Sequence, residues 1–123
     1  MHEPQSDQPL MGMRVLVVED SWQVAEGLRN LLQACGADVV GPVATTADAL
    51  RLISEHVPNA ALVDLNLRGG ERAHDLIDRL HEKDIRVIVT TGYSDVQVAK
   101  AAAILRKPIN EAQLLDALNR GPT

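Results

Sequence analysis

Three acidic residues of the 123-residue sequence stand directly after short apolar runs: Glu19 and Asp20 follow Val15-Leu16-Val17-Val18, and Asp64 follows Ala61-Leu62-Val63. Two further runs end in groups of complementary chemistry. Val87-Ile88-Val89 leads into Thr90-Thr91-Gly92, and Ala103-Ile104-Leu105 leads into Arg106-Lys107-Pro108. Carboxylates crowded into a partly desolvated place repel one another and need a cation or a proton to be tolerated. Hard oxygen donors of this kind suit Mg2+, which keeps several waters and commonly takes one or two carboxylates plus phosphate oxygens. A carboxylate can also attack phosphorus when a metal and a lysine neutralise the transferred group. Glu19 and Asp20 are adjacent and can hold the metal together, so Asp64 is the expected acceptor and Lys107 the neutralising cation. A hydroxyl from Thr90 or Thr91 completes the set, and the periodicity of the run does not separate the two.

This chemistry requires that the runs end on one rim. From Met13 onward, short continuous apolar runs alternate with stretches of helical spacing, the pattern of a parallel sheet covered on both faces. The runs predict strands at Arg14 to Val18, Asp38 to Val43, Ala60 to Val63, Val87 to Thr90 and, more weakly, Ala103 to Leu105. Between them, Val24, Ala25, Leu28, Leu31, Leu32 and Cys35 form a helical stripe with Ser21 as start and Gly36 as stop. Further stripes are Ala49, Leu50, Ile53 and Val57 after a Thr46 cap, then Ala73, Leu76, Ile77 and Leu80, then Leu114, Leu115 and Leu118 after Asn110 with Gln113. The segment Ser94 to Ala102 has a capping spacing but few apolar residues, which predicts a marginal helix. The expected fold class is α/β, a doubly wound, five-stranded parallel sheet of order 2-1-3-4-5 with right-handed crossovers. In that order the first and third strands are neighbours, so the three carboxylates converge at the carboxyl ends where such sheets bind ligands.

Length and composition narrow the function classes. A chain of 123 residues, 46% hydrophobic and 24% charged, has the make-up of one globular domain, so an output module is expected on another protein. The formal charge of -5 argues against a broad grip on nucleic acid. No apolar run approaches the roughly 18 residues of a membrane span. Residues 1 to 12 are polar and acidic with Pro4 and Pro9, which predicts a flexible tail and no secretion signal, with the folded domain at 13 to 120. Cys35 is the single cysteine, which fits a reducing cytoplasm and reads as a packed small hydrophobe.

In VLVVED, ALVDLNL, VIVTTG and RKP, placed in that order, the chain from about Met13 to Leu118 resembles the CheY-like receiver domain of bacterial response regulators, which has a flavodoxin-like fold. The resemblance implies that Glu19, Asp20 and Asp64 bind Mg2+ with the main-chain carbonyl of Asn66, and that Asp64 takes a phosphoryl group from a histidine kinase. It selects Thr91 as the switch hydroxyl and pairs it with Lys107 on the phosphoryl oxygens. It implies a phosphoacceptor rather than an enzyme, acting as a single-domain regulator through conformational switching and protein binding, as a phosphate sink, or by passing the group to a downstream partner. Two positions depart from the common pattern: Arg68, before Gly69-Gly70, replaces a usual proline, and Ile104 replaces a usual aromatic residue three positions before the lysine. With Gly92-Tyr93 after Thr91, these departures look like a subgroup of stand-alone receivers that work with HWE-type kinases.

Simpler readings stand beside these. His74, Asp78 and His81 share one helical side at metal-like spacing, yet that side flanks the apolar stripe and reads as a solvated face. An aspartate-nucleophile phosphatase of the haloacid dehalogenase type would carry a second acid two residues after the nucleophile, where this chain has Asn66. A nucleotide-binding turn would carry glycines after the first strand, where this chain has Asp20-Ser21-Trp22. A receiver-fold interaction module that is never phosphorylated remains the alternative from another class.

Overall fold

In a computed structural model, the structure describes residues 8–67, 73–93 and 97–120. Five strands, β1 (Arg14–Val18), β2 (Asp38–Val43), β3 (Ala60–Asp64), β4 (Arg86–Thr91) and β5 (Ala103–Arg106), form one parallel sheet of order β2-β1-β3-β4-β5. Four helices are present among the described residues: α1 (Trp22–Ala34), α2 (Thr46–Glu55), α3 (Ala73–Glu82) and α4 (Glu111–Asn119). The expected order of a doubly wound sheet is met.

Because successive strand side chains point to opposite faces, the apolar runs feed two cores at once. Leu16, Val18, Ala61, Val63, Val87 and Val89 face one core, closed by Ala49 and Ile53 of α2 and Leu76, Ile77 and Leu80 of α3. Val15, Val17, Ala60, Leu62 and Ile88 face the other, closed by Leu28 and Leu32 of α1 and Leu114 and Leu118 of α4. A one-residue slip of any central strand would exchange its two sets of partners, so this alternation fixes the register. The strand ends, and whatever they carry, are thereby held in place.

The structure differs from the sequence-based expectation in several places. Val57, expected in the apolar stripe of the second helix, lies beyond the end of α2 and is exposed, because the helix stops at Glu55. The cap of α2 is Thr45, whose Oγ1 accepts the Asp48 N–H at 3.1 Å, and Thr46 is already the first helical residue. Ser21 occupies the start of α1 without a side-chain cap bond, while Asn110 caps α4 as expected by accepting the Gln113 N–H at 3.0 Å. The expected marginal helix is not formed over residues 97–102, which hold a turn with the Ala101 N–H on the Val98 carbonyl at 3.2 Å. Residues 94–96 lie outside the described residues, as do Arg68 and the two glycines after it. Among the described residues 97–102, Val98 and Ala101 alone pack partly on the core, which is too little apolar burial to offset the cost of ordering a helix there. Finally, packing begins upstream of Met13: Leu10 is buried beside Cys35, and its N–H donates to the Cys35 carbonyl at 2.8 Å.

Candidate functional site

Each site residue is aimed by a strand end. The ladder between β1 and β3 pairs Val18 with Val63, so Glu19 and Asp64 leave the sheet side by side. Asp64 belongs to β3 itself and pairs with Thr90, and Thr91 pairs with Arg106, so β3 and β4 each extend one residue past the expected ends. The Lys107 N–H donates to the Thr91 carbonyl at 2.7 Å, which carries the lysine back over the rim before the cis Lys107-Pro108 peptide. On the other side the Glu19 N–H donates to the Val43 carbonyl at 2.9 Å. That bond depends on a bulge in β2, where the β1–β2 register shifts between Leu16 and Val18 and Gly41 takes φ +93.

Glu19, Asp20 and Asp64 each place a carboxylate oxygen within 4.8 Å of the others. Glu19 and Asp64 are 4% and 3% exposed, so little water screens them, while Asp20 is half-buried at the mouth. Lys107 answers both buried acids: its Nζ lies 3.2 Å from Glu19 Oε1 and 3.3 Å from Asp64 Oδ1. The Ser21 N–H donates to Glu19 Oε2 at 3.0 Å, and the Asn66 N–H donates to Asp64 Oδ1 at 3.0 Å. Thr91, almost fully buried, donates its hydroxyl to Asn66 Oδ1 at 3.3 Å and accepts the Tyr93 N–H at 3.1 Å. These groups surround an open cleft of about 420 Å³ that Ser21, Gly92 and Tyr93 also line.

The titration of Glu19 and Lys107 reflects this crowding. Burial raises the Glu19 carboxyl above its ordinary value of 4.5; the Ser21 N–H opposes the rise, the Asp64 charge adds to it, and Lys107 opposes it. For Lys107, burial pulls the ammonium downward, but the attraction of Asp64 and Glu19 together outweighs it, and the value ends above the ordinary 10.5. An acid held above its ordinary range is one whose charge is only partly compensated. The Lys107 ammonium and the Ser21 N–H therefore do not fully offset the cost of burying the Glu19 charge beside Asp64. The donor set, all hard oxygens opening on a solvent-filled cleft, fits a Mg2+ ion that retains part of its water.

The structure thus brings together every residue that the sequence nominated: Glu19, Asp20, Asp64, Asn66, Thr91 and Lys107. Thr90 is also buried, but it sits one residue back in the ladder, with its carbonyl taken by the Leu65 N–H at 2.9 Å. His74 and His81 are exposed, and Asp78 pairs with Lys100 at 3.2 Å, so this helix side is a solvated face. Cys35 is buried and its thiol is pushed upward by burial and by the Glu111 charge, consistent with a packed, unreactive group. Two contributors were missed in the sequence: Ser21, whose amide orients Glu19, and Tyr93, whose amide engages Thr91. Neither has a sequence signal, since both bonds come from main-chain N–H groups that any non-proline residue would supply. Trp22 is 74% exposed beside the acidic pair.

Comparison with known proteins gives a consistent result. The profile of the response regulator receiver domain matches residues 15–119. The phyllosphere-induced regulator PhyR of Methylorubrum extorquens is 27% identical over 110 residues, covering 85% of this chain and 41% of the relative. The DNA-binding transcriptional activator DevR/DosR of Mycobacterium tuberculosis is 30% identical over 116 residues, covering 86% of this chain and 52% of the relative. The chain thus spans about half the length of these curated relatives or less. Among solved structures, a CheY-like receiver domain protein from Methanospirillum hungatei superposes with a TM-score of 0.76 at 27% identity, over 86% of this chain and 90% of that one. Among the described residues, no helix is long and apolar enough to cross a membrane.

Proposed function

The chain belongs to the response regulator receiver domain family, and from that premise we propose that it stores a signal as an aspartyl phosphate on Asp64, received from a histidine kinase in the cytoplasm. The observation that carries this reading is the juxtaposition of a buried aspartate, two further carboxylates and one lysine on a single open rim. Glu19, Asp20, Asp64 and the main-chain carbonyl of Asn66 would hold Mg2+, whose contribution when bound is to neutralise charge on the phosphoryl oxygens. The protein's own parts do the rest. Asp64 Oδ1 is held by the Asn66 N–H, which leaves its second oxygen as the nucleophile toward phosphorus. Lys107, already beside Asp64, meets the charge that arrives, and Thr91 turns its hydroxyl toward a phosphoryl oxygen.

Signalling in this reading is a shift between two populations, biased by the added charge. The protein acts as a phosphoacceptor without turnover, and passes its signal by binding a partner, by draining phosphoryl groups as a sink, or by relay. The Gly92-Tyr93 sequence after Thr91 and the Ile104 substitution support kinases of the HWE type as donors. Phosphotransfer from a panel of purified, autophosphorylated histidine kinases tests this directly. Rapid transfer to the native protein from an HWE-type kinase, with none to Asp64→Asn, is the expected result; transfer that survives the substitution contradicts it.

A further inference from the structure

Thr91 takes part in a second set of contacts that phosphoryl transfer itself does not use. Its side chain is sealed from solvent, so its hydroxyl must find partners within the protein. Its proton goes to Asn66 Oδ1 at 3.3 Å, and its oxygen accepts the Tyr93 N–H at 3.1 Å. Asn66 is in turn tied to the acceptor, since its own N–H donates to Asp64 Oδ1 at 3.0 Å. The chain therefore runs Asp64, Asn66, Thr91, Tyr93, joining the acceptor carboxylate to the backbone at a side chain that is 64% exposed.

We propose that the Asn66 side chain is a positioning residue that latches the Thr91 hydroxyl in its resting orientation, so that this contact competes with any phosphoryl oxygen for the same proton. The proposal rests on Asp64 being the acceptor. A hydroxyl has one proton to give, so Thr91 cannot donate to Asn66 and to a phosphoryl oxygen at the same time. Whatever the Asn66 contact contributes at rest is subtracted from the binding of the phosphoryl group, and removing it favours the engaged orientation by the same factor. The coupling to the surface runs through the main chain of Tyr93 and needs no aromatic side chain at position 104. A net hydrogen bond of ordinary strength corresponds to an effect of about three- to tenfold.

Calorimetric titration of the full chain with beryllofluoride in excess Mg2+ tests the latch, the fluoride complex standing in for the phosphoryl group. Asn66→Ala keeps the main-chain carbonyl and changes an exposed side chain. It is expected to bind beryllofluoride about three- to tenfold more tightly than the native protein. In a Thr91→Val background the same substitution is expected to change nothing, and in a Thr91→Ser background, where the hydroxyl is retained, the gain is expected to return. Failure of Asn66→Ala to tighten binding, or an equal gain with valine at position 91, overturns the latch while leaving Asp64 as acceptor. A native protein that takes up no beryllofluoride at all overturns the acceptor reading, and the latch with it.

Discussion

Glu19 is the residue on which the electrostatics of the site turn. It is 4% exposed, and its carboxyl is raised by burial and by the neighbouring Asp64 charge more than Ser21 and Lys107 lower it. Its charged form is therefore held in the folded state at a cost. Replacing it with Gln removes that charge while keeping the shape and the acceptor for the Ser21 N–H. Glu19→Gln is expected to raise the stability of the metal-free protein by about 0.5–2 kcal/mol in urea unfolding, and to weaken Mg2+ binding by at least about tenfold. A variant both less stable and unchanged in Mg2+ affinity would show that the acids are not strained against one another. The residue types at this site were legible because each stands at the end of an apolar run. The pairing of Thr91 with Asn66 and Tyr93 was not, because hydroxyl partners are set by the path of the chain after the strand rather than by spacing.

At the scale of elements, the bulge in β2 supports the site from outside it. Gly41 has φ +93, and a Cβ there would lie 2.9 Å from the Val43 nitrogen and 3.1 Å from the Val17 carbonyl oxygen. Both contacts are with backbone, which has no rotamer to yield. Gly41→Ala is therefore expected to destabilise the fold by about 2 kcal/mol or more. Because the next contact along is the Glu19 N–H on the Val43 carbonyl, it should also weaken Mg2+ binding. A fully native denaturation midpoint and affinity would contradict this account of the bulge. The sequence marked all five strands and four helices because their apolar periodicity is set by the two cores. It misplaced the start of α2 by one residue, since Thr45 and Thr46 are chemically equal and only backbone geometry chooses between them. It also predicted a marginal helix over Ser94 to Ala102 from a capping spacing; over residues 97–102 no helix forms, and Val98 and Ala101 pack only partly on the core.

For the molecule as a whole, the local crowding makes stability depend on cation and pH together. A carboxyl raised on folding binds its proton more readily in the native than in the unfolded chain. Its contribution to stability is thus greatest at low pH and is lost as pH rises from the unfolded value through the raised native one. A divalent ion binding the deprotonated carboxylates opposes that loss. A Mg2+ concentration about 100 times the dissociation constant at about pH 7.5 should add about 2.7 kcal/mol there, and the same concentration should add progressively less as the pH falls toward the range in which Glu19 takes up its proton. Stabilisation by that Mg2+ concentration that stays unchanged down to the pH at which the carboxylates are protonated, read from thermal unfolding, would contradict binding through them. The formal charge of -5 points away from nucleic acid, and three of its carboxylates meet on the rim of the cleft. What the sequence could not reveal at this scale was the upstream extension, because Leu10 belongs to no helical or strand periodicity and its burial comes from packing against the core beside Leu32 and Cys35. The most direct test of the central claim is the intact mass of the protein after incubation with acetyl phosphate and Mg2+. We expect the mass of one added phosphoryl group on the native chain, located to Asp64 by peptide mapping and absent from Asp64→Asn. No adduct on the native chain, or an adduct carried equally by the asparagine variant, would contradict it.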